Sequence, residues 1–238
     1  MNDGAAGHPV TGILGQPQSD REDGFYFDGP LVPPNGSFDG AMSDIQIAVM
    51  ERDVQEVIAN LLQALMIPPD HNTEDTPARV ARMLVREVFA GRYAARPELT
   101  TFPNVAKLDQ ILMVGPIAVR SCCAHHLVPI IGQAWVGMIP DQFSRLLGLS
   151  KVHRLTAWIM ARPQIQEEAT QMLADELEAA TSPRALGVVV RAKHFCCAWR
   201  GVRDEPSLMT TSVMRGLFKE DPRARAEFMS LIGGMGFA

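Results

Sequence analysis

The stretch QILMVGPIAVRSCCAHHLVPIIGQAWVGMIP, residues 110–140, is where the sequence changes from helical to β-like patterning. Its two outer runs are rich in apolar and β-branched residues and are interrupted or bounded by glycine and proline, as is typical of β-strands. The segment HHLVP, residues 125–129, lies between the two runs. We therefore predict two neighbouring strands joined by a short connection that carries two histidines.

Helical patterns flank this pair of strands on both sides. Apolar residues recur at helical spacing from residue 44 to Pro68, and a second helix is predicted from Thr76-Pro77 to Gly91. The later elements are helical runs at 147–162 and 164–180, strands at 185–201 and 207–218, and a last helix from Asp221-Pro222 to Gly233-Gly234. This order predicts an α+β fold, an antiparallel sheet of two hairpins with helices on one face. The two exposed sheet edges favour oligomerisation.

The composition is ordinary for a globular protein. A net charge of −5 over 238 residues gives no indication that nucleic acid or an anionic membrane surface is a partner. Residues 1–43 are rich in Gly, Pro, Asp and Ser and predict a mobile tail, which leaves 44–238 as one domain with an N-terminal helical part, 44–93. The N-terminus lacks signal-peptide features, and no apolar run approaches the ~20 residues that span a bilayer. We therefore expect a cytoplasmic protein.

Cysteine and histidine concentrate in two short clusters. The chain has four cysteines and six histidines, and two of each lie between Cys122 and His126. The other two cysteines, Cys196 and Cys197, follow His194 in the segment HFCC. In a reducing compartment such mixed clusters favour a metal site over a disulfide framework. Buried structural cysteine is the plainer alternative.

Spacing does not choose the ligands of the first cluster. Cys123-x-x-His126 and Cys122-x-x-His125 both have short-range ligand spacing. Strict strand alternation would separate the two members of either pair, so they converge only if the chain turns or bulges there. The choice between the two pairs therefore stays open on the residues alone.

Strand alternation does favour one cysteine of the second cluster. If the strand continues through HFCCAWR, Cys196 lies on the polar face, whereas Cys197 lies with Phe195 and Trp199 on the apolar face. Cys196 is then the better ligand candidate, and Cys197 the better core residue. Two cysteines and one histidine leave a fourth position for water, which is the arrangement of catalytic zinc. A structural site would recruit a fourth protein ligand.

Two segments could bind an anion and a purine base. Ser150, Lys151 and Arg154 lie at the start of a predicted helix, where backbone N–H groups and the helix dipole attract anions. Glu167, near the start of the next helix, could accept hydrogen bonds from adjacent N–H donors such as those of guanine. A solvated helix end and ordinary helix electrostatics are the simpler explanations, and the residues alone do not decide.

Several motifs together resemble the GTP cyclohydrolase I family. They are CAHHLVPIIGQAWVGMIP, GLSKVHRL, RPQIQEEAT, HFCCAWRGVR and TTSVMRGLF, and DTPARVARML is similar to the family's helix before the sheet. They follow the family's order and spacing from about Asp75 to the C-terminus. The resemblance implies a tunnelling-fold domain whose two-hairpin sheets assemble into an oligomeric barrel, a pentamer-based ring that is usually a decamer. It also implies zinc-dependent hydrolysis of GTP at C8, formate release and closure to 7,8-dihydroneopterin triphosphate, for pterin and tetrahydrofolate synthesis.

The resemblance also implies a ligand set and two active-site histidines. The double histidine fixes the register of the first cluster, so Cys123 and His126 match Zn²⁺ ligands, and Cys196 matches the third. His194 matches the acid–base histidine that protonates the purine ring, and His125 matches a second histidine that orients the substrate.

The implied substrate contacts form two groups, one for the base and one for the ribose and triphosphate. A local cluster of cations explains how an acidic chain binds a tetra-anionic nucleotide. The matched residues are Gln166 and Glu167 for guanine; Ser150, Lys151, Arg154 and Arg200 for the ribose and triphosphate; and Arg79, supplied by a neighbouring subunit.

One position departs from the family pattern. The usual glutamate between the zinc cysteine and the histidines is Ala124 here. Loss of a carboxylate that only supports the site would lower activity by ~10–100-fold. Two alternatives to the main prediction therefore stay open: a divergent cyclohydrolase that stops at a formylated or ring-opened intermediate, and a non-catalytic GTP-binding paralogue.

Overall fold

The computed structural model describes residues 36–37 and 41–234. The predicted tail, residues 1–43, lies almost wholly outside this range, and its mobility stays a prediction. Among the described residues, no helix is long and apolar enough to cross a membrane.

The first helix, α1 (Asp44–Ala64), begins and ends close to its predicted limits. Ser43 is its N-cap: the backbone N–H of Gln46 donates to Ser43 Oγ (3.3 Å), and the N–H of Ser43 donates to Gln46 Oε1 (2.9 Å). This reciprocal capping box fixes the start of the helix. None of the residues of α1, all of which the structure describes, is buried. Part of its predicted apolar face is exposed, with Val57 63% exposed and Leu61 50% exposed.

The second helical region departs from prediction at both ends. It consists of α2 (Thr76–Met83), a π-helical turn (Leu84–Val88) and α3 (Ala90–Tyr93). Asp75, not Thr76, is the N-cap, and Pro77 lies in the first turn. Gly91 does not end the region as predicted. Its N–H donates to Ala161 O (2.9 Å), and a Cβ there would lie 2.0 Å from Trp158 O, so the glycine permits a close approach of two backbones.

The sheet contains the two predicted antiparallel hairpins. The strands are β1 (Thr101–Pro103), β2 (Leu112–Cys123), β3 (Pro129–Ile139), β4 (Arg145–Leu147), β5 (Pro163–Gln164), β6 (Ala185–His194) and β7 (Met209–Gly216). The main sheet has the order β5-β2-β3-β6-β7, and β2–β3, β3–β6 and β6–β7 are all antiparallel. Two short additions were not predicted: β5 pairs with β2 in parallel, and β1 pairs with β4.

Helices cover both faces of this sheet, which corrects the prediction that they lie on one. The remaining helices are α4 (Leu149–Met160), α5 (Gln166–Thr181), α6 (Phe195–Ala198), α7 (Leu217–Glu220) and α8 (Pro222–Gly234). The larger core joins α4 and α5 to one face. A second core on the other face joins Trp135 and Val189 to Phe228 of α8.

Two glycines explain why α8 lies against the second face. A Cβ on Gly137 or Gly187 would lie 2.4 Å or 2.5 Å from the ring of Phe228, so both positions must lack a side chain for that ring to reach the sheet. Phe228 is fully buried and stacks on Phe218 with ring centroids 5.0 Å apart. The strand pattern alone contains no signal for this contact.

Candidate active site

The first Cys–His cluster begins at the last two residues of β2, Cys122 and Cys123, and continues into the tight turn before β3. The N–H of Cys123 donates to Val128 O (2.8 Å), and the N–H of Leu127 donates to Cys123 O (2.9 Å). Leu127 has a φ of 51°, a left-handed conformation that reverses the chain. The turn provides the bend that convergence of a Cys-x-x-His pair requires, and it places His126 next to Cys123.

The second cluster is not a continued strand, as the sequence predicted. β6 ends at His194, and the next four residues form the single helical turn α6, in which the N–H of Trp199 donates to Phe195 O (3.0 Å). Cys197 is exposed and Trp199 is 73% exposed, so their prediction as core residues is wrong. Cys196 packs against a small buried cluster at the sheet end.

Three predicted metal ligands come together. Cys123 Sγ, Cys196 Sγ and a ring nitrogen of His126 all lie within 4.8 Å of one another. Tetrahedral zinc with bonds of about 2.3 Å to sulfur and 2.0 Å to nitrogen needs ligand atoms roughly 4 Å apart, so a small contraction fits the ion. Cys123 is buried, Cys196 half-buried and His126 exposed. Two thiols and an imidazole are a set of ligand atoms that suits zinc.

Two of the four thiols, those of Cys196 and Cys122, have a raised pKa, which favours the neutral form. Burial and, to a smaller extent, the hydrogen bond with Cys123 together raise the pKa of Cys196 to about 11. Burial likewise raises the pKa of Cys122, outside the cluster, to about 11. A cation bound by Cys196 would oppose this preference, because it favours the thiolate.

Arg200 and His125 lie beside the cluster. Arg200 Nη1 is 2.9 Å from His126 Nε2, and since a guanidinium only donates, the imidazole nitrogen is the acceptor. His125 Nδ1 is 3.8 Å from Cys123 Sγ, and its ring is exposed. The structure thus places a cation and a second histidine on the exposed side of the three candidate ligands.

His194 is held at the end of β6 by a buried amide. Its Nε2 lies 2.7 Å from Gln166 Oε1. Burial lowers the pKa of His194, and the negative charge of Glu167 opposes that effect. Neutral imidazole is therefore favoured at neutral pH. The amide N–H groups of Gln166 also have acceptors inside the chain, so the structure shows this residue in contact with protein rather than free to face a base.

The predicted anion-binding residues lie where the sequence places them. α4 starts after its N-cap Gly148, with Ser150, Lys151 and Arg154 in its first two turns. Glu167 is in the first turn of α5 and is exposed. The roles of these residues stay predictions.

Arg79 and Ala124 each have a hydrogen-bond partner in the structure. Arg79, on α2, forms an exposed ion pair with Asp75 (Nη2–Oδ2 2.9 Å). The N–H of Ala124 donates to Gln164 O (3.1 Å), which ties the position of the missing carboxylate to β5.

Sequence reasoning missed two threonines behind Gln166. Thr170 Oγ1 donates to Gln166 O (2.7 Å) and lies 2.7 Å from Thr211 Oγ1, which in turn accepts from Gln166 Nε2 (3.1 Å). The i, i+4 spacing of Gln166 and Thr170 is the only local signal for this arrangement. The partner on β7 is visible only in the fold.

Comparisons with known proteins identify the class of protein to which this fold and site belong. The sequence model of the GTP cyclohydrolase I family matches residues 54–233. The GTP cyclohydrolase 1 of Mycobacteroides abscessus is 44% identical over 181 residues, which cover 75% of this chain and 87% of that protein. The Aeromonas hydrophila protein of the same name is 39% identical over 162 residues, 68% of this chain and 73% of that protein.

The chain belongs to the GTP cyclohydrolase I family, so the family and the enzyme class predicted from the motifs are confirmed. Among solved structures, an archaeosine synthase QueF-Like protein in the apo form aligns with 45% of this chain and 92% of that chain, at 16% identity and a TM-score of 0.35. That likeness is too weak to define the fold.

Proposed function

We propose that the chain hydrolyses GTP at C8, releases formate and forms 7,8-dihydroneopterin triphosphate, the first intermediate of pterin and tetrahydrofolate synthesis. The observation that carries this proposal is the group Cys123, His126 and Cys196, whose ligand atoms lie within 4.8 Å of one another in a chain of this family. His194 is two residues from Cys196 in the chain. A metal site and a proton-transfer group thus arise from the same chain segment.

Zinc held by these three residues would supply a Lewis acid that activates water for attack on C8. His194 exchanges a proton with the purine ring, which makes C8 electrophilic when N7 is protonated. Its half-buried ring and lowered pKa support this role, because a lowered pKa makes the imidazolium a stronger acid towards the purine ring. His125, exposed beside Cys123, orients the substrate.

The triphosphate requires cations from more than one element. Lys151 and Arg154, in the first two turns of α4, bind phosphate oxygens through charge-assisted hydrogen bonds. Ser150 and the N–H groups of the first turn of α4 add further hydrogen bonds. Arg200, next to His126, adds a third cation. Glu167 accepts hydrogen bonds from the guanine edge.

An oligomer completes the site in this proposal. Arg79 is 75% exposed at its side chain on α2 and reaches the triphosphate of a neighbouring subunit. Several large apolar side chains near the site are exposed in the single chain, which supports burial against neighbours in a pentamer-based decamer. They include Leu127, Leu149, Trp199 and Val202. The cytoplasmic location stays a prediction.

Ala124 supports one competing candidate, a divergent cyclohydrolase that stops at a formylated or ring-opened intermediate. The test is to incubate purified, metal-analysed protein with GTP, then to identify products by mass spectrometry and measure formate. Dihydroneopterin triphosphate with one formate per GTP supports the main proposal. A formylated or ring-opened product supports the divergent enzyme, and unchanged GTP with bound zinc supports a binding protein.

A further inference from the structure

The amide of Gln166 is enclosed by named partners. Gln166 is the first residue of α5 and only 3% exposed. Its Nε2 lies 3.2 Å from Val190 O, 3.2 Å from Met209 O and 3.1 Å from Thr211 Oγ1. Its Oε1 lies 2.7 Å from His194 Nε2. The side chain therefore connects the middle of β6 and the start of β7 to His194, the last residue of β6.

These contacts determine which way the amide points. Backbone carbonyls only accept hydrogen bonds, so the NH₂ group must face Val190 O and Met209 O. Turning the amide over would place its oxygen against two other oxygens and leave buried groups without partners. With the amide fixed, Oε1 faces His194, and because Oε1 only accepts, Nε2 of His194 carries the hydrogen.

Two threonines hold this arrangement from behind. Thr170 is 1% exposed, and its hydroxyl donates to the backbone oxygen of Gln166, one helical turn earlier (2.7 Å). The same hydroxyl oxygen lies 2.7 Å from Thr211 Oγ1 on β7. The amide is thus anchored to the helix and to the neighbouring strand, and a buried network with all its members paired is rigid.

We propose that Gln166 is a positioning residue that holds the ring of His194 with its Nε2–H on Gln166 Oε1, so that Nδ1 is the nitrogen that exchanges the proton with the substrate. This rests on the proposed function. The bond from Nε2–H to Oε1 is possible for both neutral imidazole and imidazolium, so the proton arrives at and leaves Nδ1 without any change at Nε2. The ring keeps one orientation through the cycle.

This role differs from the reading of guanine that the family resemblance implies for Gln166. A residue that reads the base acts on GTP affinity and on the preference for guanine over hypoxanthine. A residue that positions His194 acts on the rate of the chemical step and leaves GTP affinity nearly unchanged. The two roles are therefore separable by kinetics.

The kinetic test is Gln166→Met in the zinc-loaded full chain, which keeps the side-chain length and removes both polar atoms. We expect kcat for formate release to fall by about 10–100-fold, with bound zinc and the dissociation constant for GTP within about twofold of the wild type. The matched control is Gln171→Met on the same helix, because Gln171 is exposed and its Nε2 donates to Asp175 Oδ1 (3.1 Å). It should leave kcat unchanged.

Crystal structures of the zinc-loaded wild type and of Gln166→Met test the positioning without any need for turnover. The expected result is the Gln166–His194 contact in the wild type and a rotated or multiply oriented His194 ring in the variant. The proposal is overturned by an unchanged ring in the variant, or by weaker GTP binding and altered guanine preference at unchanged kcat. Wild-type protein that releases no formate would defeat the proposed function, while the ring orientation still decides the positioning.

A second variant keeps the test decisive if Gln166→Met does not fold. Thr211→Val removes a hydroxyl that accepts from Gln166 Nε2 and leaves the contact of Oε1 with His194 in place. We expect a change of the same kind and smaller size, a reduction in kcat of a few-fold with GTP affinity retained. Loss of GTP affinity with full kcat would contradict the proposal.

Discussion

The two cysteine pairs look alike in sequence and differ in surroundings. Cys122 and Cys123 end a strand, and both are buried. Cys196 and Cys197 lie in a helical turn, where the first is half-buried and the second is exposed. Each pair gives one sulfur to the group of candidate metal ligands. The other cysteine is buried in the first pair and exposed to solvent in the second. Two adjacent cysteines therefore do not show which of them is buried or could bind a metal until the backbone geometry is known.

The largest expected effect separates the two cysteines of the second pair. Cys196→Ser removes a candidate zinc ligand. Mutation of a residue that only supports a metal ligand already lowers metal affinity or activity by about 10–100-fold. We therefore expect Cys196→Ser to lose bound zinc and formate release to fall by more than ~100-fold. Cys197→Ser is the matched control and should retain one zinc per chain. Metal analysis and a formate assay measure both. Equal zinc loss in the two variants would refute the distinction drawn between them.

His194→Ala should come next in size. It removes a proton-transfer group, which contributes about 10²–10⁴-fold, and leaves the three candidate ligands in place. We expect full zinc content, unchanged GTP binding and strongly reduced formate release in single-turnover experiments. Formate release at the wild-type rate would exclude the proposed role, and loss of zinc would show that the ring supports the metal site instead.

The smallest expected effect concerns the buried member of the first pair. Cys122→Ala should lower the free energy of unfolding by about 1–2 kcal/mol at pH 7, since it leaves a small cavity, and should retain zinc. Burial raises the pKa of this thiol to about 11, so the fold favours the neutral form. The free energy of unfolding of the wild type is therefore unaffected by ionisation of this thiol below its ordinary pKa of about 8.5, and it decreases as the pH rises towards 11.

The difference in unfolding free energy between wild type and Cys122→Ala should therefore shrink as the pH rises from about 8.5 to 11. Denaturant unfolding at several pH values measures it. Cys197→Ser, which changes an exposed side chain, should show a difference near zero throughout this range. A constant gap for Cys122→Ala would indicate that its thiol is not shielded from water.

Local sequence predicted most elements because their signals are local. The proline of α2 and the Asp221-Pro222 start of α8 both lie where a helix begins. The prediction failed where a distant contact decides the structure. Gly91 was interpreted as a helix end, but it lies inside α3 because the backbone near Trp158 packs against it.

Part of the candidate site was predicted for a reason that the structure does not support. Strand alternation favoured Cys196 over Cys197, but the strand ends at His194 and the cysteines lie in a helical turn. In a helix, neighbouring side chains point about 100° apart rather than 180°, so one cysteine still faces the sheet end and the other faces away. The family resemblance gave the same residue independently.

The sequence by itself determined the order of helices and strands, the family, and the kinds of side chain that could bind zinc, because these depend on spacing and on chemical identity. Three features were decided only by the tertiary structure. The candidate ligand atoms converge, and α8 covers the second face of the sheet. The amide of Gln166 contacts a histidine 28 residues further along the chain. Those contacts join segments that are distant in sequence. Packing and directional hydrogen bonds select them, and no local pattern encodes either.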